Sequence, residues 1–94
     1  MLYTIASYKK VSSGSCASNG VQLVRSKYEC KSAAKALGLP YITAHDAHRS
    51  IFPPGCIYRD SDNFLVWNTM VSSSIHCGSD LGDPGVYDCL CIKG

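Results

Sequence analysis

The chain has 94 residues, of which 46% are hydrophobic and 17% are charged, and its formal net charge is +2. These values predict one globular domain over residues 1–94 and exclude a disordered chain. The basic residues are dispersed, whereas nucleic-acid binding needs a clustered basic face, so no nucleic-acid partner is expected. No apolar run approaches the roughly 20 residues that span a bilayer, so the chain is not expected to be membrane-spanning.

Six cysteines in so short a chain predict a disulfide framework, since their number is even and they are spread along the sequence. They are Cys16, Cys30, Cys56, Cys77, Cys89 and Cys91. A small domain buries a small core, so covalent links supply stability that packing alone does not. Disulfides persist in oxidising surroundings, which predicts that the protein is secreted, extracellular or in an oxidising lumen.

The first part of the chain predicts a strand, a loop and a second short strand. Residues 2–8 alternate and are rich in β-forming side chains, which is typical of a strand. Residues 12–20 are rich in Ser, Gly and Asn and predict a loop held by Cys16. Residues 21–24 are a short candidate strand.

A helix is predicted to begin at Ser26, because Ser26 and Glu29 form an S-x-x-E capping box. Apolar or small residues then recur at helical spacing on one face, namely Cys30, Ala33, Ala34 and Leu37. Lysines occupy the opposing face at Lys27, Lys31 and Lys35. Gly38 predicts the end of the helix. A disulfide from Cys30 would therefore fix the helix to the element beneath it.

The second part of the chain predicts a hairpin and a final strand. Residues 56–59 and 64–68 flank the polar loop 60–63, and residues 86–92 form the last predicted strand. Residues 41–50 carry no clear pattern. We expect Cys89 and Cys91 to face opposite sides of the sheet and to bond to different elements.

The predicted fold class is α+β, with one amphipathic helix packed on an antiparallel β-sheet in a single small disulfide-linked domain. Among the many pairings that six cysteines allow, we predict Cys30–Cys56, Cys77–Cys89 and Cys16–Cys91.

Two motifs suggest a metal, but each has a simpler interpretation. His45 and His48 are three apart and could share an ion with His76, yet polar loop histidines are the favoured interpretation. Residues 60–63 resemble part of a calcium loop, but Asp and Asn are also what turns require. We predict no metal and no cofactor.

Catalysis is not predicted either. His76 adjoins Cys77, but a disulfide-bonded cysteine is no nucleophile, and Glu29 has no glutamate partner elsewhere in the chain.

The expected ligand-binding residues are instead aromatic. Tyr58, Trp67 and Tyr87 lie on predicted strands, and Tyr58 and Tyr87 are expected to be the more exposed.

Four short motifs together resemble small cysteine-rich modules of marine single-celled algae and protists. They are ECxxAAxxLG at residues 29–38, PPGCxY at 53–58, LxWN at 65–68 and CxC at 89–91. The resemblance implies an extracytoplasmic disulfide domain. A helix cysteine joined to a strand cysteine is also loosely similar to PAN/apple domains, which bind proteins or carbohydrates, although those usually carry two cysteines in the helix.

Three functions follow as expectations. The first is a non-catalytic extracytoplasmic binding module that recognises a protein or glycan. The second is a small accessory subunit of a larger lumenal or membrane-associated assembly, such as a photosynthetic complex. The third is a secreted inhibitor or toxin, or a small enzyme, with the loop at residues 51–55 as an inhibitory segment.

Overall fold

A computed structural model describes residues 7–40, 43–79 and 85–93. Over these residues the chain forms six strands, one α-helix and one 3-10 turn. In order these are β1 (Ser7–Val11), the 3-10 turn (Ala17–Asn19), β2 (Gln22–Leu23), α1 (Lys27–Ala36), β3 (Ala44–Ala47), β4 (Gly55–Arg59), β5 (Phe64–Asn68) and β6 (Asp88–Lys93).

The six strands form one sheet in the order β1-β6-β4-β5-β3, with β2 also paired to β6. All pairs are antiparallel except β3 and β5, which run parallel. Strand β1 pairs along one side of β6, and β2 and β4 both pair along its other side. There β4 pairs with Asp88 and Cys89, whereas β2 pairs with Cys91 and Ile92. The fold is α+β, as predicted, with a sheet that is mixed rather than purely antiparallel.

The helix begins and ends as its sequence predicts. The Ser26 hydroxyl accepts a hydrogen bond from the Glu29 N–H at 3.1 Å. The Glu29 carboxylate accepts from the Arg25 N–H, also at 3.1 Å, one residue earlier than in the standard capping box. Gly38 follows the helix with a φ of 73°, a left-handed conformation that glycine adopts without steric penalty. Cys30 is among the residues that the helix buries, so the predicted inward face is confirmed.

Each face of the sheet carries its own core. On the helix side the larger buried side chains are Tyr58, Leu65 and Leu90. On the other side, loops cover Ile57 and Val66 and neighbouring residues. All five residues of β4 are buried, because this strand is covered on both faces.

The three disulfides are the predicted ones: Cys16–Cys91, Cys30–Cys56 and Cys77–Cys89. Cys30–Cys56 joins the helix to β4, and the other two bind loops to β6. Cys89 and Cys91 thus bond to different elements, as expected. The expectation that they face opposite sides is wrong: both lie in the loop-side core, because residues two apart in a strand share a face.

Other boundaries differ from the sequence predictions. The predicted strand at residues 2–8 falls mostly outside the described residues, and the observed β1 continues to Val11. The final strand is shifted to Asp88–Lys93. The hairpin is confirmed as β4 and β5, whereas β3 was not predicted. Among the described residues, no helix is long and apolar enough to cross a membrane.

Candidate functional site

A cavity of about 440 Å³ opens beside β3 on the sheet face opposite the helix. We call it the cationic groove. Its lining residues are His45, Asp46, Ala47, His48, Arg49, Phe52, Phe64 and Val66. In β5, Phe64 and Val66 point towards this groove, whereas the intervening Leu65 packs on the helix side. The groove therefore has an apolar floor and a basic rim.

Asn68 fixes the loop that forms one wall of the groove. Its side chain is completely buried, and its Oδ1 accepts from the Arg49 N–H at 3.0 Å. Its Nδ2 donates to the carbonyl oxygens of Arg49, Phe52 and Pro53, at 2.9, 3.3 and 2.9 Å. One buried amide thereby satisfies several backbone groups of the loop at residues 49–53 and sets its position.

Thr69 holds the segment between β3 and this loop. Its N–H and its hydroxyl both donate to the Ala47 carbonyl oxygen, at 2.9 and 3.1 Å. The His48 Nδ1 lies 2.8 Å from the same hydroxyl oxygen. The backbone that carries His48 and Arg49 is thus anchored on both sides, and the basic rim is organised before any ligand binds.

Aromatic rings and guanidinium groups form a continuous row along this face. The rings of His45 and Phe64 are stacked with centroids 4.5 Å apart. The Arg59 guanidinium lies 4.8 Å from the Phe64 ring centroid and 5.2 Å from that of Tyr87. The Tyr87 ring is in turn 5.1 Å from Phe52. These contacts hold the groove's aromatic walls in fixed orientations.

Arg59 is the centre of that row. Its guanidinium donates to both carboxylate oxygens of Asp62, at 2.7 and 2.6 Å, and to the Tyr87 hydroxyl at 2.7 Å. The hydrogen bond from Arg59 lowers the pKa of Asp62. Burial raises the pKa of Tyr87. Tyr87 is therefore a neutral structural partner of Arg59.

The charge at the groove rim is positive. Arg49 lies over the Phe52 ring, with its guanidinium carbon 5.7 Å from the centroid. Asp46 is the one acidic lining residue among those described, and its carboxylate pairs with Lys27 of the helix at 3.2 Å. Lys27, Asp46 and Arg49 together therefore carry one net positive charge.

The predicted aromatic surface is not formed. Tyr58 and Tyr87 are only 1% and 2% exposed, so their predicted exposure is wrong. The Tyr58 hydroxyl donates to the Asn63 side-chain oxygen on the helix side of the sheet. Trp67 is half-buried against the helix-side core. None of these three residues lines the cationic groove.

The oxygens of the predicted calcium-like loop are engaged in protein contacts. Asp60 pairs with Lys10 at 3.2 Å, and Asp62 binds Arg59. No group of three potential metal ligands occurs among the described residues. His45 and His48 are brought to one groove, whereas His76 does not line it.

The sequence draws attention to His45 and His48 only through a metal interpretation that it does not favour, and it gives no separate indication for Arg49. Phe52 is included only in the loop at residues 51–55 that is considered above as an inhibitory segment. The available signal is the run His45-Asp46-Ala47-His48-Arg49, which places two histidines and an arginine before a proline-rich turn.

No family model, no curated protein and no solved structure matches this chain. The resemblances to algal modules and to PAN/apple domains therefore stay predictions, and the chemistry of the groove is the guide to function.

Proposed function

We propose that this protein is a non-catalytic binding module of an extracytoplasmic compartment, and that the cationic groove holds its protein or glycan ligand. The observation that carries this proposal is the groove itself. Its volume of about 440 Å³ lies in the range of ligand sites, and its lining combines four apolar residues with four polar or charged ones.

The fixed geometry of the rim supports binding. Asn68 and Thr69 hold the backbone that carries Arg49 and His48, so little ordering is needed when a ligand enters. A preorganised backbone favours binding because less conformational entropy is lost when the ligand enters.

The disulfides support a role outside reducing compartments, and they also disfavour thiol chemistry. All six cysteines are bonded, so no thiol is available as a nucleophile. The side-chain oxygens of Asp60 and Asp62 already bind Lys10 and Arg59. A non-covalent role fits these groups better than general acid or base catalysis does.

A test uses the ¹⁵N-labelled protein and three probes: a neutral hexasaccharide, a hexasaccharide of uronic acids and a hexaglutamate peptide. At least one probe should give saturable shifts of the backbone amides of His45, Ala47 and Arg49. Ala47→Trp should abolish them, because the indole fills the groove. Ala36→Trp, which places the same ring on the exposed end of the helix, should leave them unchanged. Saturable shifts confined to other surfaces, or equal binding by both variants, would contradict the proposal.

A further inference from the structure

We propose, resting on the function above, that the cationic groove binds an acidic carbohydrate, with its carboxylate or sulfate at Arg49 and the adjacent His48. The apolar residues of the groove, Ala47, Phe52, Phe64 and Val66, then contact the C–H groups of the sugar ring.

The arrangement of charge points to an anion. Arg49 and His48 are adjacent on the rim, and the carboxylate of Asp46 is held by Lys27. Behind the Phe64 ring, the Arg59 charge is matched by Asp62, so this pair adds little net charge to the groove. An arginine guanidinium suits carboxylate and sulfate oxygens because its donors form a planar fork.

The backbone of the wall favours a carbohydrate over a peptide. The Ala47 carbonyl oxygen accepts from Thr69, and both the N–H and the carbonyl oxygen of Arg49 are bound by Asn68. The Phe52 carbonyl oxygen accepts from Asn68 and from the Ser73 hydroxyl. These groups of the loop are committed within the protein and are not offered to a peptide main chain; hexaglutamate tests whether a peptide pairs instead with the outer edge of β3, the last strand in the sheet order. A sugar ring needs only the side chains.

The test measures dissociation constants by titration calorimetry for a uronic-acid hexasaccharide, a sulfated hexasaccharide, a neutral hexasaccharide and hexaglutamate. At least one acidic sugar should bind about tenfold or more tightly than the neutral one, as expected for a charge-assisted contact. The two acidic arms distinguish carboxylate from sulfate. Binding should weaken in 300 mM salt.

Two matched variants locate the anion. His48→Gln with Arg49→Gln should weaken binding of the acidic sugar by about tenfold. Lys31→Gln with Lys35→Gln removes charge from the exposed helix surface and should change the affinity by less than about twofold. Equal losses in both variants would mean that the attraction is non-specific and would overturn the inference.

Other outcomes separate this inference from the proposed function. Tight binding of the neutral sugar that Ala47→Trp abolishes would overturn the anion site but keep the binding module. Binding of hexaglutamate alone would overturn the proposal of a carbohydrate ligand, while the proposed binding module would remain with a protein as its ligand. If no probe binds, the inference that the groove takes an acidic carbohydrate is overturned.

Discussion

Replacing Asn68 with aspartate tests whether one buried amide organises the groove wall. The change exchanges the side-chain NH₂ for an oxygen and hardly alters shape. Asn68→Asp keeps an oxygen to accept from the Arg49 N–H. It removes the three hydrogen bonds that Nδ2 donates to the carbonyl oxygens of Arg49, Phe52 and Pro53. We therefore expect the free energy of unfolding to fall strongly, even though the substitution leaves no cavity.

The magnitude follows from these contacts. Each donated hydrogen bond contributes about 1 kcal/mol net, which gives about 3 kcal/mol for the three. The new carboxyl at a completely buried position would face carbonyl oxygens, so its charged form is disfavoured. At pH 7 we expect the free energy of unfolding to fall by about 3–5 kcal/mol in total.

The dependence on pH distinguishes this explanation from a general packing defect. The pKa of the introduced carboxyl in the folded state should be raised above its unfolded value of about 3.9. Below that value the carboxyl is protonated in both states. As the pH rises from that value through the folded pKa, the unfolded state loses its proton first, so the free energy of unfolding of the variant falls. The stability difference from wild type should be smallest near pH 4 and largest at pH 7.

Urea unfolding at pH 4, 5.5 and 7 measures this difference. Asn63→Asp is the matched control, because Asn63 is exposed and its Oδ1 accepts from Tyr58, a role that a carboxylate oxygen retains. Asn63 has a left-handed φ of 56°, which aspartate also adopts, so this control should lower the free energy of unfolding by about 1 kcal/mol or less. Equal stability of Asn68→Asp and wild type at pH 7, or a difference that does not change with pH, would refute the reasoning.

Two further predictions concern the scaffold. The double variant Cys30→Ser, Cys56→Ser removes a disulfide between residues 26 apart in sequence. Urea unfolding should show that the free energy of unfolding falls by about 3.5 kcal/mol, because the unfolded chain gains conformational entropy. An unchanged midpoint would mean that this disulfide does not restrict the unfolded chain. Burial raises the pKa of Tyr58 and Tyr87 above the ordinary value of 10.0. Above that pH the unfolded state loses protons that the folded state keeps, so the free energy of unfolding should fall as the pH rises. Thermal unfolding from pH 8 to 11 tests this, and Tyr58→Phe should show a shallower decline than wild type.

Features with local signals could be predicted from the sequence. The capping residue Ser26 and the terminal Gly38 lie within a few residues of the helix that they define. The turn at residues 60–63 lies between two β-forming segments, and it closes the observed hairpin. The inward face of the helix predicts that Cys30 is buried, although it does not by itself identify Cys56 as the partner. In each case nearby residues specify the geometry.

Features set by distant contacts could not be predicted. β3 has only four residues, Ala44–Ala47, and no β-branched side chain, so its intrinsic strand preference is weak. It forms because it pairs in parallel with β5, about twenty positions later in the chain. The burial of Tyr58 and Tyr87 also depends on coverage of both sheet faces, which strand alternation does not reveal.

The position of the groove follows from which parts of the sheet are covered. The helix covers one face, and loops fixed to β6 by Cys16–Cys91 and Cys77–Cys89 cover the centre of the other. β3 lies at the far end of the strand order from β1, on the outer side of β5. Its loop-side residues His45 and Ala47 therefore meet solvent beside Val66, which leaves a rigid, partly apolar surface that the disulfide-linked loops do not fill. The small side chain of Ala47 keeps this space open, so enlarging it is the most direct way to remove the site while preserving the fold.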